Sequence, residues 1–491
     1  LFAATLIWLM RTWIQLSYAE LVYHLSTSIS GTNKDMVVRA IVKYAVPAVV
    51  VIAAIIVGNE VIYRKTKRPI LICGVLLAVL SADCLIGKEF DDRTNIISDV
   101  VGSILKTNES DFIENNYVDA GDVQIEFPEN KRNLIYIYLE STEISCADKE
   151  NGGAFDENVI PNLTDLSEVN ENFSGTEQND ILNGAITLPG TDWTMGGMFA
   201  QSTGLPLKIA LSGNTFGYGT SESFFPQITS IGDILEDNGY KNVLLLGSDA
   251  TFGGRSLFYE THGDYDIHDF YYAKEVGWIP QDYYVFWGFE DYKLFMFAKE
   301  DLLELAADGE PFNYTMLTVD THFEDGYFCD LCEEDFGDNQ YANVFACADR
   351  QVAEFVNWIK QQDFYENTTI IICGDHTTMD SDFYSDIDSD YQRKTYTCII
   401  NGVAQKDIDT YREYATIDMF PTTLAALGAE VSSDRLGIGT NLFSSNQTII
   451  EQYGLDFCTQ ELQKNAPFLE DMAGLSINED VLEGMKDRIY L

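Results

Sequence analysis

The sequence predicts an α/β chain: a domain with a mainly parallel central sheet flanked by helices, preceded by transmembrane helices. Short, nearly unbroken apolar runs end in polar loops at 133–141 (NLIYIYLES), 242–249 (NVLLLGSD), 313–323 (NYTMLTVDTHF) and 368–376 (TTIIICGDH). A strand apolar at every position is covered on both faces, as in a parallel sheet with helices above and below. Between these runs lie amphipathic stretches of helical character, such as 231–240, with Gly239 placed to end it, and 348–362. Ahead of them come two long apolar segments.

Those segments, 44–63 and 69–86, are each about long enough to cross a ~30 Å hydrocarbon core as a helix. Between them Arg64, Lys65, Lys67 and Arg68 mark a cytoplasmic loop by the positive-inside rule, so the chain after about residue 90 is expected outside the membrane. Leu1 to Leu9 reads as the tail of an earlier span, which makes the sequence a fragment lacking its true start, and 10–43 as an external amphipathic connection. Lys34, Arg39 and Lys43 lie on that outer side, against the usual bias. The expected organisation is a transmembrane region at 1–90, a polar linker at 91–130 that is partly helical, and an extracytoplasmic catalytic domain at 131–491. That makes a multi-pass protein of the cell membrane.

With 46% hydrophobic residues in 491, there is material for a large core. Charge is lopsided: 30 Lys and Arg against 78 Asp and Glu, a formal net of −48. Residues 1–90 hold 9 basic and 5 acidic residues, so the acidity belongs to the soluble part. Nucleic acid is excluded as a partner, because no basic excess exists to displace counterions from a phosphate backbone. The acidic surface reads first as a solubilising one. Of nine cysteines, Cys329 and Cys332 form a lone CxxC followed by Cys347. In an extracytoplasmic domain that spacing favours a loop-stapling disulfide over zinc, since none of the five histidines adjoins it.

Ligands of doubly wound folds collect outside the carboxyl ends of the strands. The polar residues there are Glu140 after the first run, His322 after the third, and Asp375 with His376 after the fourth. Two carboxylates and an imidazole converging from separate strands suit one divalent metal ion. Between the first two runs, PGTDWTMGGMFAQSTGLP (189–206) offers a Pro-Gly turn, then Thr191 and Asp192, which are good helix N-cap types. The small residues from 194 to 200 allow close approach to a neighbour. A hydroxyl at a helix N-terminus sits where backbone dipoles and free N–H groups favour anions, although on the residues alone a simple N-cap role is the better explanation of Thr191.

These motifs, with SFFPQITSIGDILEDNGY (223–240), ATIDMFPTTLAALG (415–428) and RLGIGTNLF (435–443), occur in the order and at roughly the intervals of the phosphoglycerol transferases. The chain resembles that group within the alkaline phosphatase/sulfatase superfamily over about residues 130–445. The likeness is to the transferases of periplasmic glucans and, more distantly, to the lipoteichoic acid synthases. It implies an alkaline-phosphatase/sulfatase-like domain in which Glu140, Thr191, Asp375 and His376 hold one divalent ion, manganese first, with magnesium or zinc as alternatives. Counting back without a gap from the Gly-Leu-Pro at 204–206 makes Thr191 the nucleophile, with Thr194, three residues on, as the fallback. Arg255 and His322 are implied beside the phosphoglycerol, with Gly253 standing where a synthase has tryptophan.

The implied reaction moves phosphoglycerol from phosphatidylglycerol to an acceptor hydroxyl on a glycan or polyglycerolphosphate, through a phosphothreonine diester. Sulfate-ester hydrolysis is disfavoured, because no Cys/Ser-x-Pro-x-Arg motif follows residue 189. Phosphoethanolamine transfer is the alternative, although GDHTTMD replaces the Asp-His-Gly-Glu-Ser usual there. A noncatalytic membrane-anchored binding protein that keeps the fold is the reading from another class.

Overall fold

The computed structural model describes residues 2–12, 16–26, 32, 38–39, 41–66, 69–105, 108–176, 182–208, 224–380, 382–385 and 387–474. Seven strands make the central sheet: β1 (Asn133–Leu139), β2 (Gly184–Ala185), β3 (Lys241–Leu246), β4 (Asp266–His268), β5 (Phe312–Leu317), β6 (Thr368–Gly374) and β7 (Thr395–Ile400). Their spatial order is β2-β7-β6-β1-β5-β3-β4. From β6 to β4 all neighbours run parallel, whereas β7 is antiparallel to β6, and β2 to β7. The four apolar runs thus supply the adjacent strands β6, β1, β5 and β3.

Burial on both faces follows from alternation along each strand. Leu134, Tyr136 and Tyr138 of β1 enter one core, whereas Ile135, Ile137 and Leu139 enter the other. Tyr136 lies between Thr315 of β5 and Ile371 of β6, so β1 is the central register strand.

Ahead of the sheet come α1 (Phe2–Thr12), α2 (Tyr18–Ser26), α3 (Val46–Thr66) and α4 (Pro69–Thr94). Among the described residues one helix, Ile41–Lys65, is long and apolar enough to cross a membrane, and none of its apolar window is buried. The expected second span at 69–86 is helical as the first part of α4. α1 covers the expected span at 1–9 apart from Leu1, which lies outside the described residues, as do Lys67 and Arg68 of the basic loop and most of the connection at 27–37. Beyond α4, the segment read as a linker is docked: Phe112 and Ile113 are buried, and the Ser110 and Val118 amides donate to the carbonyls of Asn465 and Gly437, each at 2.8 Å.

Within the domain, α5 (Thr194–Thr203) packs in the first core, and α6 (Asp291–Asp308) and α7 (Gln340–Ile359) in the second. The predicted helix at 231–240 is observed as Ile231–Asp237, closed by Gly239 at φ 78°. α5 reaches unusually close to the sheet. A Cβ on its Gly197 would lie 1.9 Å from the Asp375 carbonyl oxygen, so only glycine lets the helix sit against the end of β6.

Candidate active site

Two chain reversals at the carboxyl edge of the sheet build the site. β1 ends at Leu139, and Glu140 follows with its amide held by Thr318 Oγ1 at 2.9 Å and its carbonyl accepting from Thr321 Oγ1 at 2.6 Å. β6 ends at Gly374. The Asp375 amide then donates to the Leu139 carbonyl at 3.2 Å, which locks the two strand ends together. Glu140, Asp375 and His376 are thereby gathered with ligand atoms within 4.8 Å of one another, all at 2% exposure or less.

Glu140 Oε1 accepts from the Ser141 hydroxyl at 2.8 Å, and Asp375 and His376 are each oriented by a backbone partner that leaves one atom facing the cluster. Asp375 Oδ1 accepts from the amides of Ser141 (2.8 Å) and His376 (2.7 Å), whereas Oδ2 is buried with no hydrogen-bond partner among the described residues. His376 Nδ1 donates to the Thr377 carbonyl at 2.8 Å, which leaves Nε2 facing Glu140 Oε1 at 3.4 Å and Asp375 Oδ2 at 3.5 Å. A backbone carbonyl on the far nitrogen is the usual way a ligating imidazole is fixed. An orphaned carboxylate oxygen, a second carboxylate and an available Nε2 fit a divalent cation. Electrostatics point the same way. Burial opposes charge on His376, but Asp375 and Glu140 outweigh it and raise the imidazole to about 10. Burial and then Glu140 push Asp375 up to about 8.

The hydroxyl that faces this cluster belongs to Thr194. Its Oγ1 lies 3.3 Å from Glu140 Oε2 and 3.4 Å from His376 Nε2. Thr191, expected there, is instead consumed by its own turn: its hydroxyl donates to the Leu188 carbonyl at 3.0 Å and accepts from the Leu188 amide at 2.9 Å. The reason is where the helix begins. α5 starts at Thr194 after an extended Trp193, so the dipole and free N–H groups of its first turn surround Thr194 and not the residue three earlier.

Arg255 and His322 enter the same space, a cavity of about 350 Å³ that Glu140, Thr194 and His376 also line. Gly253 and Gly254, at φ 63° and 72°, turn the chain so that Arg255 points inward, its guanidinium donating to the carbonyls of Phe252 and Asp249 at 3.0 Å each. His322 Nδ1 is tied to the Phe323 carbonyl at 2.6 Å and its ring packs on Trp287, centroids 4.8 Å apart. Burial, more than the opposing pull of Glu140, lowers its pKa and favours the neutral ring.

One wall was not foreseen. α2 folds back over the site: Glu20 is 2% exposed, the Tyr23 hydroxyl donates to the Gly253 carbonyl, and the Tyr23 ring lies 5.6 Å from that of Trp193. Tyr23 thus brings an aromatic beside Gly253, where the resemblance expects tryptophan. Nothing local in YAELVYHLS signals this contact, which is set only by the tertiary fold. The three cysteines expected to yield a disulfide are all free thiols.

A mixed, mostly parallel sheet whose strand ends gather carboxylates and an imidazole, with a threonine at a facing helix N-terminus, is an α/β architecture whose site could hold a metal ion beside a hydroxyl. The family model for the sulfatases matches residues 132–429, and the chain belongs to that family. It is 29% identical over 429 residues to phosphoglycerol transferase I of Salmonella choleraesuis (strain SC-B67), covering 86% of this chain and 52% of the relative. The chain therefore spans about half the length of the curated relatives it matches. Among solved structures, a protein of the alkaline phosphatase superfamily from Vibrio parahaemolyticus shares the fold at a TM-score of 0.51 and 19% identity, covering 70% of this chain and 79% of that one. The integral membrane lipooligosaccharide phosphoethanolamine transferase A of Neisseria meningitidis aligns at 0.50 and 14% identity, covering 87% and 82%.

Proposed function

We propose that this protein transfers phosphoglycerol from phosphatidylglycerol to an acceptor hydroxyl, on a glycan or polyglycerolphosphate, with Thr194 as the nucleophile. The observation that carries the reading is the Thr194 hydroxyl 3.3 to 3.4 Å from two members of the Glu140–Asp375–His376 cluster. Similarity to phosphoglycerol transferase I supports the choice of group. Glu140, Asp375 and His376 would hold one divalent ion, manganese in the first instance, which would supply Lewis-acid stabilisation of charge at the phosphate and hydroxyl oxygens.

The chain's own groups do the rest. Thr194 Oγ1 attacks phosphorus in line, an Oγ–P bond forms, and the bond from phosphorus to the diacylglycerol oxygen breaks. Arg255, fixed by two carbonyls, faces the equatorial oxygens where negative charge builds. His322, neutral with Nε2 unprotonated, carries the proton: Nε2 takes up the one Thr194 sheds and gives it to the departing diacylglycerol oxygen, then takes the acceptor hydroxyl's proton in the second half-reaction and returns it to Thr194 as that oxygen leaves. The acceptor oxygen then displaces Thr194, which regenerates the free hydroxyl. The apolar cavity wall, with Leu9, Leu16 and Leu21 beside the reacting groups, suits a lipid donor. Spans at about 44–63 and 69–86 would hold that wall at the membrane surface, with the catalytic domain outside the cytoplasm.

The test is release of diacylglycerol by the full chain from vesicles of phosphatidylglycerol or of phosphatidylethanolamine, with manganese supplied. Release from phosphatidylglycerol alone, absent in Thr194→Ala, is expected. Preference for phosphatidylethanolamine would replace the headgroup with phosphoethanolamine, and equal release by Thr194→Ala would remove the covalent step.

A further inference from the structure

Away from the catalytic cluster, the loop after β5 and helix α7 bring three sulfurs together. Cys329 Sγ lies 3.6 Å from Cys332 Sγ and 3.8 Å from Cys347 Sγ, and all three sulfurs fall within 4.8 Å of one another. These separations are too long for a disulfide and fit a shared cation. A disulfide brings two sulfurs to about 2.05 Å and ignores a third. Thiolates at about 2.3 Å from a tetrahedral zinc stand about 3.8 Å apart, the edge of the tetrahedron.

The backbone is arranged for the same purpose. Cys329 and Cys332 enclose a tight turn in which the Cys332 amide donates to the Cys329 carbonyl at 3.0 Å. Cys347 comes from the second turn of α7, where Gln351 Nε2 donates to its sulfur at 3.3 Å. Cys329 and Cys347 are 3% and 2% exposed, too enclosed for casual reactivity.

A second observation asks for positive charge here. Asp320, 2% exposed and electrostatically coupled to Cys329, has both carboxylate oxygens buried without a hydrogen-bond partner among the described residues. Its neighbour Asp291 is answered by the amides of Val319 and Asp320, at 2.7 and 3.0 Å. Buried carboxylates beside three thiols either hold a proton or sit beside a cation, and a cation bound to the thiols would serve Asp320 as well.

We propose that Cys329, Cys332 and Cys347 form a second metal site, three sulfur donors for a soft divalent cation such as zinc with a fourth position not supplied by the trio, whose charge also compensates Asp320. The site fastens the loop that carries His322 to α7. Sulfur donors separate it chemically from the oxygen- and nitrogen-lined catalytic cluster.

The experiment uses the full chain, purified in detergent without chelator or reductant and titrated with cobalt(II) as a spectroscopic stand-in for zinc. A thiolate-to-cobalt charge-transfer band is expected in the unsubstituted chain and in Asp375→Asn, and is lost in the Cys332→Ser/Cys347→Ser double variant. Zinc retained against a chelator should leave the double variant at least about tenfold faster. The proposal is overturned if peptide mapping of the unreduced, unsubstituted chain finds a disulfide within the trio. It is equally overturned if all three thiols alkylate freely and no charge-transfer band forms, and neither readout depends on turnover or on how the variants fold.

Discussion

Two clusters stand close to the carboxyl edge of one sheet, and they differ in every respect that matters for chemistry. Glu140, Asp375 and His376 present oxygen and nitrogen to a cavity, with a threonine hydroxyl and Arg255 facing the same space. Cys329, Cys332 and Cys347 present only sulfur and do not line that cavity. A catalytic metal site keeps a coordination position open to substrate, whereas a structural one is closed by its own chain. On the roles proposed for them, one fold edge would separate reactivity from fastening by donor type.

Substitutions break the comparison at its strongest point first. Asp375→Asn or Thr194→Ala should lower phosphoglycerol transfer by at least about a thousandfold, measured as single-turnover diacylglycerol release, because each removes a group acting at the reacting oxygens. The cobalt-thiolate band should survive both. Arg255→Lys should cost roughly a hundredfold in the same assay, since an ammonium cannot reproduce the guanidinium fork held by the Phe252 and Asp249 carbonyls.

Smaller effects sharpen the comparison through stability. Thr191→Val removes two buried hydrogen bonds to Leu188, and denaturant unfolding should show a loss of about 1–3 kcal/mol. The residual activity per folded molecule should remain measurable, which sets Thr191 apart from Thr194. Gly197→Ala forces a methyl group against the Asp375 carbonyl and should cost about 1–3 kcal/mol, with weakened manganese binding because Asp375 moves with it.

Much of this arrangement was legible in the residues. The four apolar runs became four adjacent strands because strands buried on both faces are apolar at most positions, and Glu140, Asp375 and His376 announced themselves as the charged residues that follow such runs. Thr191 and Thr194 were harder to separate. They lie three residues apart, and the residues alone did not fix that α5 begins at the second of them. β7 went unread, because TYTCII lacks the long apolar signature of its neighbours and pairs antiparallel at the side of the sheet. The α2 wall carries no local signal, since Tyr23 and Gly253 are 230 residues apart in sequence. The cysteine cluster was visible only as spacing, and spacing alone cannot distinguish a disulfide from a tetrahedron of thiolates.

The central claim is tested most directly by peptide mapping of the full chain after brief exposure to phosphatidylglycerol and manganese, followed by acid quench and mass spectrometry. A phosphoglycerol adduct on Thr194, abolished in Thr194→Ala and retained in Thr191→Val, is the predicted result. An adduct on Thr191, or turnover with neither threonine modified, would contradict the account.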